Sequence, residues 1–299
     1  GRFNLFTRAF APLIAGISRV KIFKFIAYDI LGGLTWAASS VMIGYIFGQG
    51  FAAASEYFGR IIMVAVVIII LIIIGYRFLN KKKNIFVKNH IIYLALNAVS
   101  IYIFSKMAED YFDKEATFRF DLWLNQNIIL IWQPWLNKLM ILISAVFSPE
   151  VLSAVALAAV VYFFVKKKLY KAGLIFIGAG GGLVLGALFK LLINRPRPLG
   201  GLVMETGFSF PSQHAVMAII FFSLIIFLFA EKIKNNFLKY LFIGANIILI
   251  LLIGFSRIYL KVHYFSDSLA GLALGLFWLT FLILIFRVIA ELTKKNNPE

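Results

Sequence analysis

The chain is built from repeated apolar runs, most of them roughly 16–23 residues long, which is the length an α-helix needs to cross about 30 Å of hydrocarbon. Phe and Ile dominate these runs without period-2 alternation, which argues against a β-barrel. With 62% hydrophobic and 14% charged residues, the sequence predicts an all-α, polytopic integral membrane protein. The runs lie near 25–48, 58–79, 89–107, 150–165, 170–193, 214–230, 237–255 and 266–288.

The positive charges are distributed as in a membrane protein, although the net charge of +17 is also found in nucleic-acid-binding proteins. Lys and Arg cluster on alternate turns between the runs, so one side of the membrane collects them, and the positive-inside rule makes that side the cytoplasm. No basic surface is interleaved with exposed aromatic residues, so nucleic acid is excluded as a partner. The absence of Cys excludes disulfides and thiolate metal sites.

A lysine-rich break at 80–88 is the best candidate domain boundary, dividing the chain into residues 1–84 and 85–299. Between the runs of the second part lies a polar outer segment, 108–136, which mixes acidic residues with tryptophans. This composition is typical of a stretch lying at the membrane interface. We expect an interfacial lid or spacer there, with substrate gating as the alternative.

Three polar clusters stand at the ends of apolar runs, and the alternation of spans brings all three to the outer face of the membrane. They read Lys190-x6-Arg197-Pro198, then Pro211-Ser212-Gln213-His214, then Ser256-Arg257-x5-His263-x3-Asp267. The cations on this face break the positive-inside pattern, which indicates function rather than topology. These cations are Lys190, Arg195, Arg197, Arg257 and Lys261.

The clusters contain the groups needed to hold and attack a phosphate. Arginine bonds phosphate oxygens in a bidentate manner, and lysine supplies a point charge. The second cluster opens a helix, whose free N–H groups receive an anion, and Ser212 adds a hydroxyl donor. His263 and Asp267 share one face if their stretch is helical, so the carboxylate holds one ring nitrogen and the other attacks phosphorus. His214 is then left as the proton donor.

The three clusters resemble the signature of the type 2 phosphatidic acid phosphatase superfamily, which reads K-x6-RP, PSGH and SR-x5-H-x3-D. The resemblance covers roughly residues 85–299. It implies a six-helix core and a reaction through a phosphohistidine intermediate, without metal ion or cofactor. It further implies His263 as the nucleophile, Asp267 as its orienting partner and His214 as the general acid. The phosphate-binding residues implied by it are Lys190, Arg197, Ser212, Gln213 through its backbone, and Arg257.

Gln213 departs from the family pattern, which usually has Gly at this position, where the backbone approaches the phosphate closely. Its side chain is expected either to crowd the pocket or to add an amide donor, and so to alter substrate fit rather than abolish activity. Arg195 and Lys261 lie between motif positions and are candidate additional phosphate ligands, although Lys261 also suits a snorkelling role. Glu205, in the loop between the first two clusters, is a candidate gate.

The first 80 residues resemble the latter half of the DedA family, which is associated with translocation of polyprenyl phosphate or phospholipids. Arg2 and Arg8 match arginines of that family, but Leu5 replaces its usual Pro, and the family's first half is absent from this chain. A pair of helices unrelated to that family is the alternative. If the sequence is cut at the front, the complete protein joins a lipid translocase to a lipid phosphatase.

Together these features predict a lipid phosphatase at the outer, periplasmic face of a bacterial-type inner membrane. Its partner is a membrane lipid with a phosphate or diphosphate head group, and undecaprenyl diphosphate is the first choice because of the front segment. Phosphatidic acid and phosphatidylglycerol phosphate stay open. Two alternatives are a lipid phosphotransferase using the same residues and a DedA-type translocase whose rear domain only binds head groups. The oligomeric state is not indicated by the sequence.

Overall fold

The computed structural model describes a helical stretch at residues 28–35, four separate positions around it (23, 26, 37 and 38) and residues 88–296. The chain divides into two compact units, Gly1–Glu56 and Tyr57–Glu299, and all three polar clusters lie in the second. Arg2, Arg8, the apolar run at 58–79 and the boundary predicted between 84 and 85 lie outside the described residues. The DedA resemblance and the domain boundary therefore stay predictions.

Between residues 88 and 296 the backbone forms eight α-helices and two short 3-10 turns, without a β-strand in that range. Six stretches are long and apolar enough to span a membrane, which confirms the all-α, six-span prediction for this part of the chain. The helices are α1 (Lys88–Asp113), α2 (Ala116–Asn127), α3 (Pro134–Val146), α4 (Pro149–Val165), α5 (Leu169–Ile193), α6 (Gln213–Phe229), α7 (Asn236–Tyr259) and α8 (Phe265–Asn296).

The second span is longer than the sequence predicts. The apolar run at 150–165 is joined to the preceding piece at 137–148, and together they form one apolar stretch of 32 residues, Pro134–Val165. The break between α3 and α4 lies at Ser148, whose Oγ accepts a hydrogen bond from the N–H of Val151 at 3.3 Å. Pro149 then occupies the first helical position, where its missing N–H costs nothing.

Glycines in α5 allow close packing against the neighbouring helices. A Cβ on Gly182 would overlap Ile220 of α6, and a Cβ on Gly181 would overlap the ring of Trp278 in α8. Small residues let helix backbones approach where lipid provides no hydrophobic driving force between helices. The result is that α6 packs against α4, α5, α7 and α8 and lies at the centre of the bundle.

The ends of four helices meet at one end of this bundle. The N–H of Ser212, just before α6, donates to the carbonyl of Asp267 in the first turn of α8 at 2.9 Å. The N–H of Leu202, in the loop after α5, donates to the carbonyl of Leu260, just after α7, at 3.0 Å. The three polar clusters, which are far apart in sequence, are therefore neighbours in the fold.

Candidate active site

His263 lies in the turn between α7 and α8 and Asp267 in the first turn of α8, and both are buried, with side chains 2% and 0% exposed. Nδ1 of His263 lies 3.4 Å from Oδ2 of Asp267 and has no hydrogen-bond partner in the described part of the chain. The pairing does not come from a shared helical face, because α8 begins only at Phe265. It comes from the turn, in which the same Oδ2 accepts the N–H of Tyr264 at 2.8 Å and so faces the imidazole.

Arg197 lies on the opposite side of the imidazole. Its Nη1 is 3.2 Å from Nε2 of His263 and also donates to the carbonyl of Val262 at 2.9 Å. Its Nε donates to two carbonyls of the loop before α6, which fixes the guanidinium in place. Since a guanidinium can only donate, this contact requires a lone pair on Nε2, and the proton of a neutral ring must then reside on Nδ1, toward Asp267.

The surroundings of His263 favour the neutral ring. Burial lowers the pKa of His263 well below its ordinary value, and the charges of Arg257, Lys190 and Arg197 lower it further. A positive ring would have to be formed without full hydration and among three cations. The imidazole is therefore uncharged at neutral pH, and the lone pair at Nε2, which accepts from Arg197, is on the side of the cations.

The start of α6 contributes unpaired donors. Ser212 is the N-cap residue, but its side chain makes no capping hydrogen bond, and its buried Oγ has no partner among the described residues. The first N–H groups of a helix lack intrahelical acceptors and carry the positive end of the helix dipole. The hydroxyl and these N–H groups together form a donor set suited to an oxyanion.

His214 lies in the first turn of α6, as its position in the sequence predicts, and its side chain is largely buried. It lines a cavity of about 240 Å³ whose walls include Arg257, Glu205, Ser144 and Glu150. A cavity of this size next to an imidazole has room for a phosphate group.

The predicted phosphate-binding cations converge on the loop between α5 and α6. Lys190 Nζ donates to the carbonyl of Phe208 at 2.7 Å. Arg257 is buried, with Nη1 donating to Ser144 Oγ and Nη2 to Glu205, while its Nε has no partner in the described structure. Arg197 approaches the other carboxylate oxygen of Glu205 at 3.5 Å. Glu205, for which the sequence offered no motif, thus lies between two arginines.

The side chain of Gln213 is directed away from His263. Its Nε2 donates to the carbonyl of Gly182 in α5 at 3.3 Å, and a Cβ on Gly186 would overlap its Oε1. The two glycines create the space that the larger residue needs. The backbone N–H of Gln213 is at the start of α6. The side-chain amide lies in the interface between α5 and α6.

Arg195 was expected as a candidate phosphate ligand, and the structure corrects this expectation. Its guanidinium is 1% exposed and forms ion pairs with Asp121 at 2.9 Å and with Asp267 at 2.8 Å. With both ends engaged by carboxylates, it has no free edge for a phosphate. Lys261 has a left-handed backbone conformation, φ 53°, and forms no ion pair within the described ranges.

Asp121 is the site residue that the sequence interpretation missed. We expected residues 108–136 to be an interfacial lid or spacer, yet Asp121 is 1% exposed, pairs with Arg195 and accepts the N–H of Ser266 in the first turn of α8. The sequence pattern that could have identified Asp121 is its spacing. Thr117, Phe120 and Asp121 occupy positions i, i+3 and i+4 of one face of α2, and all three are buried. Within residues 91–287, no group of three or more His, Asp or Glu side chains is placed to hold a metal ion.

Comparison with known proteins gives a consistent result. Residues 171–290 match the PAP2 superfamily. Phosphatidylglycerophosphatase B of Bacillus subtilis (strain 168) is 30% identical over 181 residues, which cover 60% of this chain and 89% of that protein. An uncharacterized membrane protein of Mycobacterium tuberculosis is 40% identical over 48 residues, or 16% of this chain and 21% of that one.

The fold comparison agrees with the sequence comparison. The crystal structure of a transmembrane PAP2-type phosphatidylglycerolphosphate phosphatase from Bacillus subtilis superimposes with a TM-score of 0.54 and 27% identity. The superposition covers 68% of this chain and 98% of that one.

Proposed function

Because this chain belongs to the PAP2 superfamily of membrane lipid phosphatases, we propose that it hydrolyses a membrane lipid phosphate by nucleophilic attack of His263. The observation that carries the proposal is the environment of the imidazole. Nε2 presents a lone pair beside Arg197, and Nδ1 faces the carboxylate of Asp267. This is the arrangement of an activated nitrogen nucleophile with an orienting acid behind it and a phosphate-binding cation in front.

In the first step, Nε2 forms a bond to phosphorus as the bond from phosphorus to the leaving oxygen breaks. His214, whose protonated form is favoured by a bound phosphate dianion, donates a proton to that oxygen. Asp267 stabilises the positive charge that develops on the phosphorylated ring. In the second step, water attacks phosphorus as the bond from phosphorus to Nε2 breaks, and His214 takes up a proton from the water. Inorganic phosphate is released, and the electron pair of the broken bond restores neutral His263.

The phosphate oxygens are bound in both steps by the same donors. Arg197 and Arg257 approach from the loop and from α7, and Ser212 Oγ with the first N–H groups of α6 approaches from the helix start. Lys190 adds positive charge from the end of α5. Fixed donors aimed at the developing charge stabilise the transition state without reorganisation. Since every step uses side chains of this chain, EDTA should leave the rate unchanged.

Two lipid classes are the leading substrates. The similarity to phosphatidylglycerophosphatase B supports phosphatidylglycerol phosphate. The DedA-like segment supports undecaprenyl diphosphate, since release of phosphate outside and return of the monophosphate would recycle the lipid carrier. The alternation of positive charge supports an active site at the periplasmic face of the inner membrane.

The test is phosphate release by the purified protein from phosphatidylglycerol phosphate, undecaprenyl diphosphate and phosphatidic acid in mixed micelles. His263→Ala should abolish release, whereas the matched control His90→Ala, which changes a histidine outside the three clusters, should retain it. No release from any of the lipids by folded parent protein would contradict the proposal. Lipid transport that survives His263→Ala would favour the translocase, and phosphate appearing on an added acceptor lipid would favour the phosphotransferase.

A further inference from the structure

Arg195 joins the α8 carboxylate behind the proposed nucleophile to a second acid that the reaction scheme does not use. Its Nη1 donates to Oδ1 of Asp267 at 2.8 Å, and its Nη2 donates to Oδ2 of Asp121 at 2.9 Å. All three side chains are at most 1% exposed. Burying three charged groups is costly, and a surface ion pair would provide comparable stability more cheaply. This free-energy cost indicates that the three charged groups do more than hold α2 in place.

The hydrogen bonds fix the Asp267 carboxylate in one orientation. Oδ1 is occupied by Arg195, so Oδ2 is left for the N–H of Tyr264 and for the imidazole of His263. Arg195 is in turn held on every side. Its guanidinium lies 4.1 Å from the ring centre of Tyr264 and 4.8 Å from that of Tyr111, and Ser266 Oγ accepts from Nη1 at 2.7 Å.

Asp121 is fixed just as firmly. Its Oδ1 accepts the N–H of Ser266 at 2.9 Å, and its Oδ2 accepts both Arg195 and the hydroxyl of Ser266. Burial raises the pKa of Asp121 to about 6, against the opposing charge of Arg195, so the carboxylate is ionised at neutral pH. Asp121 thus supplies a second negative charge behind the turn that carries His263.

Among the imidazole and the three linked groups behind it, leaving aside the cations proposed to bind the phosphate, the charges balance only when the ring is positive. With a neutral imidazole, Asp121, Asp267 and Arg195 sum to one negative charge. Attack on phosphorus makes the ring of His263 positive, and the four groups then sum to zero. Without Asp121, the charge of Arg195 would already be cancelling that of Asp267 before the reaction begins. An uncompensated charge in a buried site favours the state that neutralises it.

On this basis we propose that Arg195 and Asp121 are positioning residues, which orient Asp267 toward His263 and leave its negative charge available to the phosphorylated imidazole. The inference rests on the proposed function, since it concerns the same nucleophile. It extends the site to α2 and gives a role to a helix outside the three motifs. Neither residue touches the phosphate, so both should affect the rate of the chemical step and leave substrate binding largely intact.

The experiment compares Arg195→Met and Asp121→Asn with a matched control, Lys106→Met. Lys106 is also a largely buried cation among acids on the same side, paired with Glu109, Asp110 and Glu115, but it has no contact with Asp267. For Arg195→Met we expect kcat to fall roughly tenfold or more, with KM and the inhibition constant of inorganic phosphate within about twofold of the parent. Lys106→Met should keep the kcat of the parent.

The double variant Asp121→Asn/Arg195→Met tests whether Asp121 acts through Arg195. We expect its kcat to be no lower than that of Arg195→Met alone, since groups that act as one unit are not additive. The inference would be overturned if the kcat losses of the two single variants multiplied in the double variant. It would also be overturned if folded Arg195→Met kept the kcat of the parent or changed only KM. If Arg195→Met does not fold, the near-isosteric Asp121→Asn decides, and an unchanged kcat there overturns it. A parent protein without phosphatase activity would overturn the proposed function itself.

Discussion

The carboxylate of Glu205 is ion-paired with the guanidinium of Arg257, and its other oxygen lies 3.5 Å from Nη2 of Arg197. A carboxylate and a phosphate present similar oxygen pairs to an arginine. Glu205 therefore occupies the donors proposed for the substrate phosphate. Its negative charge also offsets the repulsion between the two neighbouring cations.

Removing the charge of Glu205 should tighten anion binding. For Glu205→Gln we expect the KM for lipid and the inhibition constant of inorganic phosphate to fall roughly threefold to tenfold, because the phosphate no longer competes with a carboxylate. Steady-state kinetics with phosphate as inhibitor checks this. The control is Glu109→Gln, a more exposed acid paired with Lys106. A rise in KM would instead mean that Glu205 holds the arginines in their binding positions.

Gln213 and Gly186 should be energetically coupled. Gly186→Ala places a Cβ where the Gln213 amide lies, so the amide must move and lose its hydrogen bond to Gly182. We expect this variant to lose about 1 kcal/mol of stability. In a Gln213→Gly background, the same alanine should cost little or even stabilise α5.

Thermal unfolding of the four proteins of this cycle in detergent measures the coupling. Gly180→Ala is the control, because a Cβ there meets no atom within 4 Å. Equal costs of Gly186→Ala in both backgrounds would contradict the placement of the Gln213 side chain.

Stability should depend on pH through Asp121, whose pKa is raised from 3.8 to about 6 in the folded protein. The folded state then holds this proton more tightly than the unfolded state, so the contribution is present below pH 3.8 and is lost as pH rises through 6. We expect the parent to lose about 2 kcal/mol relative to Asp121→Asn between pH 4 and pH 7. Melting temperatures of both proteins across this range test the sign, and a constant difference would contradict it.

Tyr259 should contribute to stability without contributing to the reaction. Its hydroxyl donates to Oδ1 of Asn137 at 2.5 Å and accepts from the N–H of Gln133 at 3.3 Å, which ties the end of α7 to the start of α3. Tyr259→Phe leaves these partners unsatisfied at a cost of about 1–2 kcal/mol. A lower melting temperature with kcat within about twofold of the parent is the expected result.

The spans and the meeting of the three clusters follow from the sequence because apolar run length and charge alternation are strong, local signals. The neighbourhood of His263 and Asp267 also follows, although it arises from a turn instead of a helical face. Asp121 could not be assigned, and Glu205 could be named only as a candidate gate, since the importance of both depends on which side chains they meet across the fold. The direction of Gln213 depends in the same way on two glycines in another helix, which no pattern around Gln213 reveals.

The contact between Asp121 and Arg195 crosses the edge of the segment that matches the PAP2 superfamily, since residue 121 precedes residues 171–290. The matched segment is therefore not a transplantable unit. In a chimaera that exchanges only that segment with a relative, position 195 would come from one protein and α2, with Asp121, from the other. Moving residues 88–296 together would keep the pair intact. Among relatives, replacement at either position should be accompanied by replacement at the other.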